Sequence, residues 1–217
     1  MQQTDSKFIV CAFYTDKYCL EIDKLKESLT NLNIEHYVKH YESRGYWEAN
    51  TRIKPEFLLE CLNKFNNKSV VYIDADAIVR KPLDLFNEIH EDIGVYCSNA
   101  ADNFSHNYLT GTIFLKNNIK IKRFISDWIN LQDGMVIGVD QDSFEQALKK
   151  NTDITIYKLP QSYVKIFDKG DTNPIIEHFQ ASRKHVKLQR LLKKARNTVL
   201  IIIFLATLLW LYYKLVY

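Results

Sequence analysis

The run Val70-Val71-Tyr72-Ile73-Asp74-Ala75-Asp76-Ala77-Ile78-Val79 constrains this 217-residue chain more than any other stretch. Val, Ile and Tyr at consecutive positions leave no polar side to turn to water. The segment therefore reads as a strand covered on both faces, the kind found inside a parallel sheet. It stops at two carboxylates one residue apart. An ionised carboxylate is costly to bury unless it is paired or bound to a cation. Open α/β sheets bind their ligands at the carboxyl ends of strands, so Asp74 and Asp76 read as a site. Their hard oxygens suit Mg²⁺ or Mn²⁺, which commonly bridge a protein to a diphosphate. The bland alternative is an Asp-rich turn that caps the next element, helped by Pro82.

A hydrophobic content of 47% and an aromatic content of 13% support a real core and exclude a disordered chain. Cys11, Cys19, Cys61 and Cys97 have no metal-type spacing. The N-terminus has no basic region followed by an apolar stretch, so no signal peptide is expected. The thiols then read as reduced core residues of a cytoplasmic protein. The net charge of +3 conceals an asymmetry. Eight of the 29 basic residues and none of the 26 acidic ones fall in residues 183–217, which leaves residues 1–182 at −5. An acidic body of this kind argues against general nucleic-acid binding.

The basic residues from Arg183 to Arg196 stand just before Thr198–Tyr213, sixteen residues without a charge, and only Lys214 interrupts the run to Tyr217. With snorkelling of Lys214 the run approaches the ~20 residues needed to span a bilayer. Trp210, Tyr212, Tyr213 and Tyr217 suit an interfacial belt. The alternative, a buried C-terminal core helix, should be amphipathic at its ends. The expectation is a single-pass C-terminal transmembrane helix over 198–217 with a basic juxtamembrane segment at 183–197. By the positive-inside rule the domain then faces the cytoplasm.

Along residues 1–182, Phe8–Phe13 reads as a strand, Glu21–Leu32 as a helix and Ile34–Tyr41 as a second strand. A polar loop carries Arg44, Gly45, Tyr46 and Trp47. A helix from about Lys54 to Phe65, with Pro55 in its first turn, leads into the strand that ends at Asp74. This β-α-β-α-β order predicts an α/β, doubly wound, mostly parallel sheet with helices on both faces. A short helix after Pro82, strands at Ile93–Cys97 and Gly111–Leu115, helices at Ile119–Leu131 and Asp140–Lys149, and a strand at Ile154–Leu159 complete one domain.

With these residues in view the chain resembles the nucleotide-diphospho-sugar glycosyltransferases of the GT-A (Rossmann-like) fold, nearest to the family 8 type. The resemblance rests on FIVCAFYT, VVYIDADAIV, YLTGTIFLKN with DQDSF after it, and HFQASRK. It implies a mixed GT-A sheet and a Mn²⁺ or Mg²⁺ ion held by Asp74, Asp76 and His178. It assigns Tyr14, Thr15, Lys54, Asp74, Ala75, Thr110, Gly111 and Lys184 to the donor, and places Asp140 and Gln141 at the reacting sugar. Ala181 stands where the family's HxxGxxK motif has Gly.

The residue chemistry agrees with those roles. A cation offsets charge on a leaving diphosphate, a neutral imidazole can complete an Asp/Asp site, and a Lys ammonium is a point charge for phosphate. Asp and Gln can fix sugar hydroxyls through several hydrogen bonds. Each position also has a plainer reading. His178 can be an ordinary strand-end histidine, Lys184 part of the basic flank, Gly111 a turn glycine, Tyr14 a core residue and Lys54 a solvated surface lysine. Asp140 can serve as an N-cap for a helix beginning near Ser143.

The resemblance implies transfer of a sugar, with retention, from a uridine-linked donor to a glycan, lipid or protein acceptor held close to the membrane. Two alternatives stay open. One is a haloacid-dehalogenase-like phosphatase, although Ala77-Ile78 follows the Asp pair here and two strands precede it. The other is a degenerate transferase that only binds nucleotide sugars at the membrane.

Overall fold

The computed structural model describes residues 6–99, 106–133, 138–169, 173–181, 183 and 196–198. The chain divides into two compact units, Met1–Gln180 and Ala181–Tyr217. In the second, the described residues are Ala181, Arg183 and the exposed helical residues Arg196–Thr198. No described helix is long and apolar enough to cross a membrane. Residues 199–217 of the expected anchor, Lys184 and most of the basic flank lie outside the described residues.

The first unit is built on a six-stranded sheet. Its elements in chain order are β1 (Phe8–Tyr14), α1 (Cys19–Asn31), β2 (His36–His40), α2 (Trp47–Thr51), α3 (Ile53–Lys64) and β3 (Ser69–Ile73). There follow β4 (Ala77–Val79), β5 (Ile93–Cys97), β6 (Tyr108–Leu115), α4 (Ile119–Asp133), α5 (Asp140–Lys150) and β7 (Ile156–Lys158), then β8 (Lys165–Ile166) and β9 (Ile176–His178). The large sheet runs β2-β1-β3-β6-β5-β7, and β4-β9-β8 form a second, three-stranded sheet.

Alternating side chains point to opposite faces of a strand, and here both faces are covered. Ile9, Cys11 and Phe13 of β1 and Val70 and Tyr72 of β3 pack in one cluster. Ile53, Phe57, Leu58 and Cys61 of α3, Phe124 and Trp128 of α4, and Phe144 of α5 complete it. Phe8, Val10 and Ala12 of β1 and Val71 and Ile73 of β3 pack on the other face. There they meet Ile22, Leu25 and Leu29 of α1, Ala77 and Val79 of β4, and Ile176 of β9. The spacing Ile22, Leu25, Leu29 is the apolar stripe of an amphipathic helix. The chain turns out of α1 at Asn33, whose φ is +52°, a conformation Asn tolerates better than most residues.

The sheet is mixed, as the family resemblance implies, with three parallel pairings and two antiparallel ones. β1 pairs parallel with β2 and β3, and β5 pairs parallel with β7. β6, however, is antiparallel to both β3 and β5. A parallel pair needs a crossover of a dozen or more residues, and the connection from Cys97 to Tyr108 is too short for one.

Further corrections are local. β6 begins at Tyr108, ahead of the expected Gly111, after a register shift between Val95 and Tyr96 of β5. The expected polar loop is partly helical, because the Asn50 side chain accepts the Arg44 N–H at 2.7 Å and so closes the loop onto α2. Of the cysteines read as core residues, Cys11 and Cys61 are buried, but Cys19 is exposed at the start of α1.

Candidate functional site

Topology gathers the chemistry at one end of the central strands β1, β3 and β6. β1 and β3 run in the same direction, so Thr15 and Asp74 leave the sheet at the same end. β6 runs the opposite way, so its early residues, Thr110 and Gly111, enter at that end too. The Asp74 N–H donates to the Gly111 carbonyl at 2.8 Å, which extends the β3–β6 ladder to the first carboxylate.

The chain turns immediately, with Ala77 N–H donating to Asp74 O at 3.1 Å, and enters β4. β4 pairs antiparallel with β9, placing Ala77 opposite His178. The Phe179 N–H then donates to the Asp76 carbonyl at 3.0 Å. His178 is thus brought to the two Asp residues by main-chain pairing. Ligand-type atoms of Asp74, Asp76 and His178 all lie within 4.8 Å of one another.

Two of the three groups have well-defined partners. Asp74 Oδ1 accepts the Tyr72 hydroxyl at 2.7 Å and faces the Lys54 ammonium at 3.3 Å, while Oδ2 lies on the Gly111 and His178 side. His178 Nε2 sits 2.9 Å from the Thr112 hydroxyl. In the tautomer that donates Nε2–H to Thr112, Nδ1 presents its lone pair, and a partner of this kind fixes ring orientation. Burial is the main cause that holds the imidazole down at about 4. Asp74 opposes that shift and Lys54 adds to it. His178 is therefore neutral at physiological pH, the form that binds metals.

Gly111 lets the backbone of β6 pass close to the cluster. A Cβ at that position would lie 3.1 Å from Asp74 Oδ2, 3.1 Å from His178 Cε1 and 3.2 Å from Nδ1. The simple turn-glycine reading does not account for that contact.

Beneath the cluster lies a buried charge network. Lys54, at the start of α3, is 4% exposed, so it is not a solvated surface lysine. Its ammonium lies 2.7 Å from Asp140 Oδ2 and 3.3 Å from Asp74 Oδ1. It also donates to the Thr110 carbonyl at 3.0 Å and meets Thr110 Oγ1 at 3.3 Å. The Tyr72 ring lies 4.9 Å away. Burial lowers the Lys54 proton affinity, but Asp140 and Asp74 together outweigh it and raise the group above its ordinary value. The ammonium is directed to protein acceptors on every side that the described residues show.

Asp140 is buried, and its Oδ2 also accepts the Thr110 hydroxyl at 2.8 Å. It does not cap its helix. α5 begins at Asp140 itself, and Asp142 accepts the Val139 N–H at 2.9 Å. Gln141 is half-buried, and its side-chain amide donates to the Tyr108 carbonyl at 3.3 Å.

The remaining expected positions are more varied. Thr15 is buried, and its carbonyl accepts the Tyr18 N–H at 2.8 Å. Tyr14 packs beside His40 with ring centroids 5.1 Å apart. Ala75 packs in the second core cluster. Lys184 lies outside the described residues.

Tyr18 escaped the sequence reading. Burial first, then the charges of the Asp76 and Asp74 carboxylates, push its phenol upward. Its spacing of three residues after Thr15, across a single 3₁₀ turn (Asp16–Tyr18), was the available signal.

Comparisons with known proteins bear on the family and the fold. The chain matches the family model for nucleotide-diphospho-sugar transferases over residues 7–191. Among solved structures, it is similar to a glycosyltransferase involved in the glycosylation of the major capsid of PBCV-1, with a TM-score of 0.65 at 12% identity. That match covers 82% of this chain and 96% of the other. It is also similar to the glycosyltransferase GlyE of Streptococcus pneumoniae TIGR4, with a TM-score of 0.59 at 16% identity, covering 80% of this chain and 55% of that one. These likenesses are likenesses of fold. A search of curated proteins finds no match.

Proposed function

The chain belongs to the nucleotide-diphospho-sugar transferase family, and on that premise we propose that it moves a sugar from a uridine diphosphate donor with the help of a divalent cation. Family membership makes it a glycosyltransferase and sets aside the phosphatase alternative. The observation that carries the finer reading is the convergence of Asp74, Asp76 and His178 within 4.8 Å at a strand end. Two carboxylates and a neutral imidazole, with Gly111 packed closely against them, fit Mn²⁺ or Mg²⁺. When bound, such an ion supplies Lewis-acid stabilisation of the charge on a leaving diphosphate.

The chain's own groups supply the rest. Gly111 and Thr110 offer backbone at the strand end beside that cluster. Tyr14 and Thr15, at the end of β1, are assigned to the nucleoside, and Lys184 to its phosphates. Gln141 and Asp140 orient the sugar. The Asp140 oxygen that faces inward is already bonded to Lys54 and Thr110, which supports a positioning role over that of a general base. Lys54 contributes by holding the two carboxylates in place, and its contact with donor is indirect. This division of labour suits a retaining, family 8-type reaction.

The apolar run 198–217 and the basic residues before it support a C-terminal anchor, with the catalytic unit on the cytoplasmic side. Tethering would raise the effective concentration of membrane-bound glycan, lipid or protein acceptors.

The function is tested by following release of uridine diphosphate from a panel of uridine diphosphate sugars by the full chain. Release that requires Mn²⁺ or Mg²⁺ and stops with a chelator is expected. Release indifferent to the chelator would contradict the cation role.

A further inference from the structure

We propose that Glu145 and Asn107 form a clamp that positions Gln141, the side chain assigned to the reacting sugar, without touching substrate themselves. This rests on the glycosyltransferase reading above. The Asn107 N–H donates to Glu145 Oε1 at 2.8 Å, and the Asn107 side-chain amide donates to Oε2 at 3.0 Å. One carboxylate thus grips one residue by two bonds, and an ionised acceptor makes such bonds stronger than a neutral one does. Glu145 is half-buried and Asn107 exposed, so the pair lies outside the core.

Helix spacing carries this grip to Gln141. Residues four apart are neighbours on one face of a helix, so Gln141 and Glu145 meet the start of β6 from successive turns of α5. Gln141 Nε2 donates to the carbonyl of Tyr108, the residue after Asn107, at 3.3 Å. Phe144 meets the Tyr108 ring edge-on with centroids 5.8 Å apart, and His106 Nε2 lies 3.3 Å from Asp142 Oδ1. Residues 106–108 are thereby seated along α5. The Ser98 N–H, just past β5, donates to the Asn107 carbonyl at 2.8 Å.

This seat decides how Gln141 meets a sugar. Only the NH₂ end of an amide can donate to a carbonyl, so the Tyr108 contact sets which way the Gln141 amide lies. It commits Nε2 to the protein and leaves Oε1 as the acceptor for a sugar hydroxyl. That bond is neutral and, at 3.3 Å, longer than either bond to Glu145. It therefore follows the Tyr108 carbonyl, whose place is fixed by the grip on the preceding residue. Further along β6, Thr110 and Gly111 have anchors of their own in Asp140 and Asp74. Loosening the clamp would move Gln141 and leave the cation ligands in place.

The test compares Asn107→Asp with the pair Asn107→Asp and Glu145→Gln, both in the full chain. Asn107→Asp alone sets two carboxylates face to face. The pair restores both bonds, because the amide introduced at 145 accepts the main-chain N–H of residue 107 and donates to its new carboxylate. The kcat for release of uridine diphosphate from a uridine diphosphate sugar should fall about ten-fold in Asn107→Asp and recover in the pair. Affinity for uridine diphosphate with Mn²⁺ should not change. In a Gln141→Ala background, Asn107→Asp should cost nothing more. Unchanged kcat in Asn107→Asp, no recovery in the pair, a parallel loss of nucleotide affinity, or an equal loss without Gln141 would overturn the proposal. The Gln141 side-chain amide NMR resonance, identified by its absence in Gln141→Ala, reads the clamp without turnover. It should shift in Asn107→Asp and return in the pair, and a resonance that stays in place also overturns the proposal. If it shifts and returns but the natural protein consumes no nucleotide sugar, the transferase reading fails and the clamp stands.

Discussion

The Lys54 ammonium lies 2.7 Å from Asp140 Oδ2, and the two side chains are only 5% and 6% exposed. This pair joins the start of α3 to the start of α5 directly below the cation cluster. A buried ion pair is weak evidence of net stabilisation, but removing one partner strands the other charge.

Lys54→Met is therefore expected to destabilise the fold by about 3–5 kcal/mol, because Asp140 and part of Asp74 lose their counter-ion. Lys54→Arg should also be harmful, since a planar guanidinium cannot reproduce the contacts a compact ammonium makes to four oxygens. Chemical denaturation of the two variants measures both effects. A loss below about 1 kcal/mol in Lys54→Met, the range of exposed pairs, would show that the network does not bear on stability.

At Gly111 the expected effect is on binding more than on folding. The added methyl of Gly111→Ala meets side-chain atoms of Asp74 and His178 at 3.1 Å, so those groups must shift by a few tenths of an ångström. Disturbance of groups that orient metal ligands typically lowers metal affinity about 10- to 100-fold. Mn²⁺ affinity should fall in that range, while thermal stability without metal changes little.

Acidification should weaken the fold through His178. Burial holds its pKa at about 4 against an ordinary value of 6.5. Between those values the unfolded chain binds more protons, so unfolding free energy rises with pH. The contribution is complete above about 6.5 and is lost progressively as pH falls to about 4, for a total of roughly 3 kcal/mol. Denaturation of the metal-free protein across this window, compared with His178→Gln, isolates the effect. Parallel pH profiles for the two proteins would contradict it.

The parts of the site legible in the sequence are those written in one short segment. The β3 run and the Asp turn stand out because continuous β-branched residues must be covered on both faces. The buried stripe of α1 follows from spacing, and the start of α3 from Pro55 in its first turn. His178 was reachable only through family resemblance, since β4 and β9 are three residues each and too short to show a period. The burial of Lys54 was not legible, because the carboxylates that receive it arrive from β3 and α5. The capping of α5 by Asp142 was missed as well. The helix begins at Asp140 itself, so Asp142, in its first turn, is the residue that accepts the Val139 N–H.

The most direct test of the central claim is the thermal stability of the full chain with uridine diphosphate, with and without Mn²⁺, for the natural protein and Asp76→Ala. Ligand binding to the native state raises the melting temperature. The expected result is a rise that needs both nucleotide and Mn²⁺ and disappears in Asp76→Ala. An equal rise without Mn²⁺, or one that survives in Asp76→Ala, would contradict a cation held by Asp74, Asp76 and His178 against the donor diphosphate.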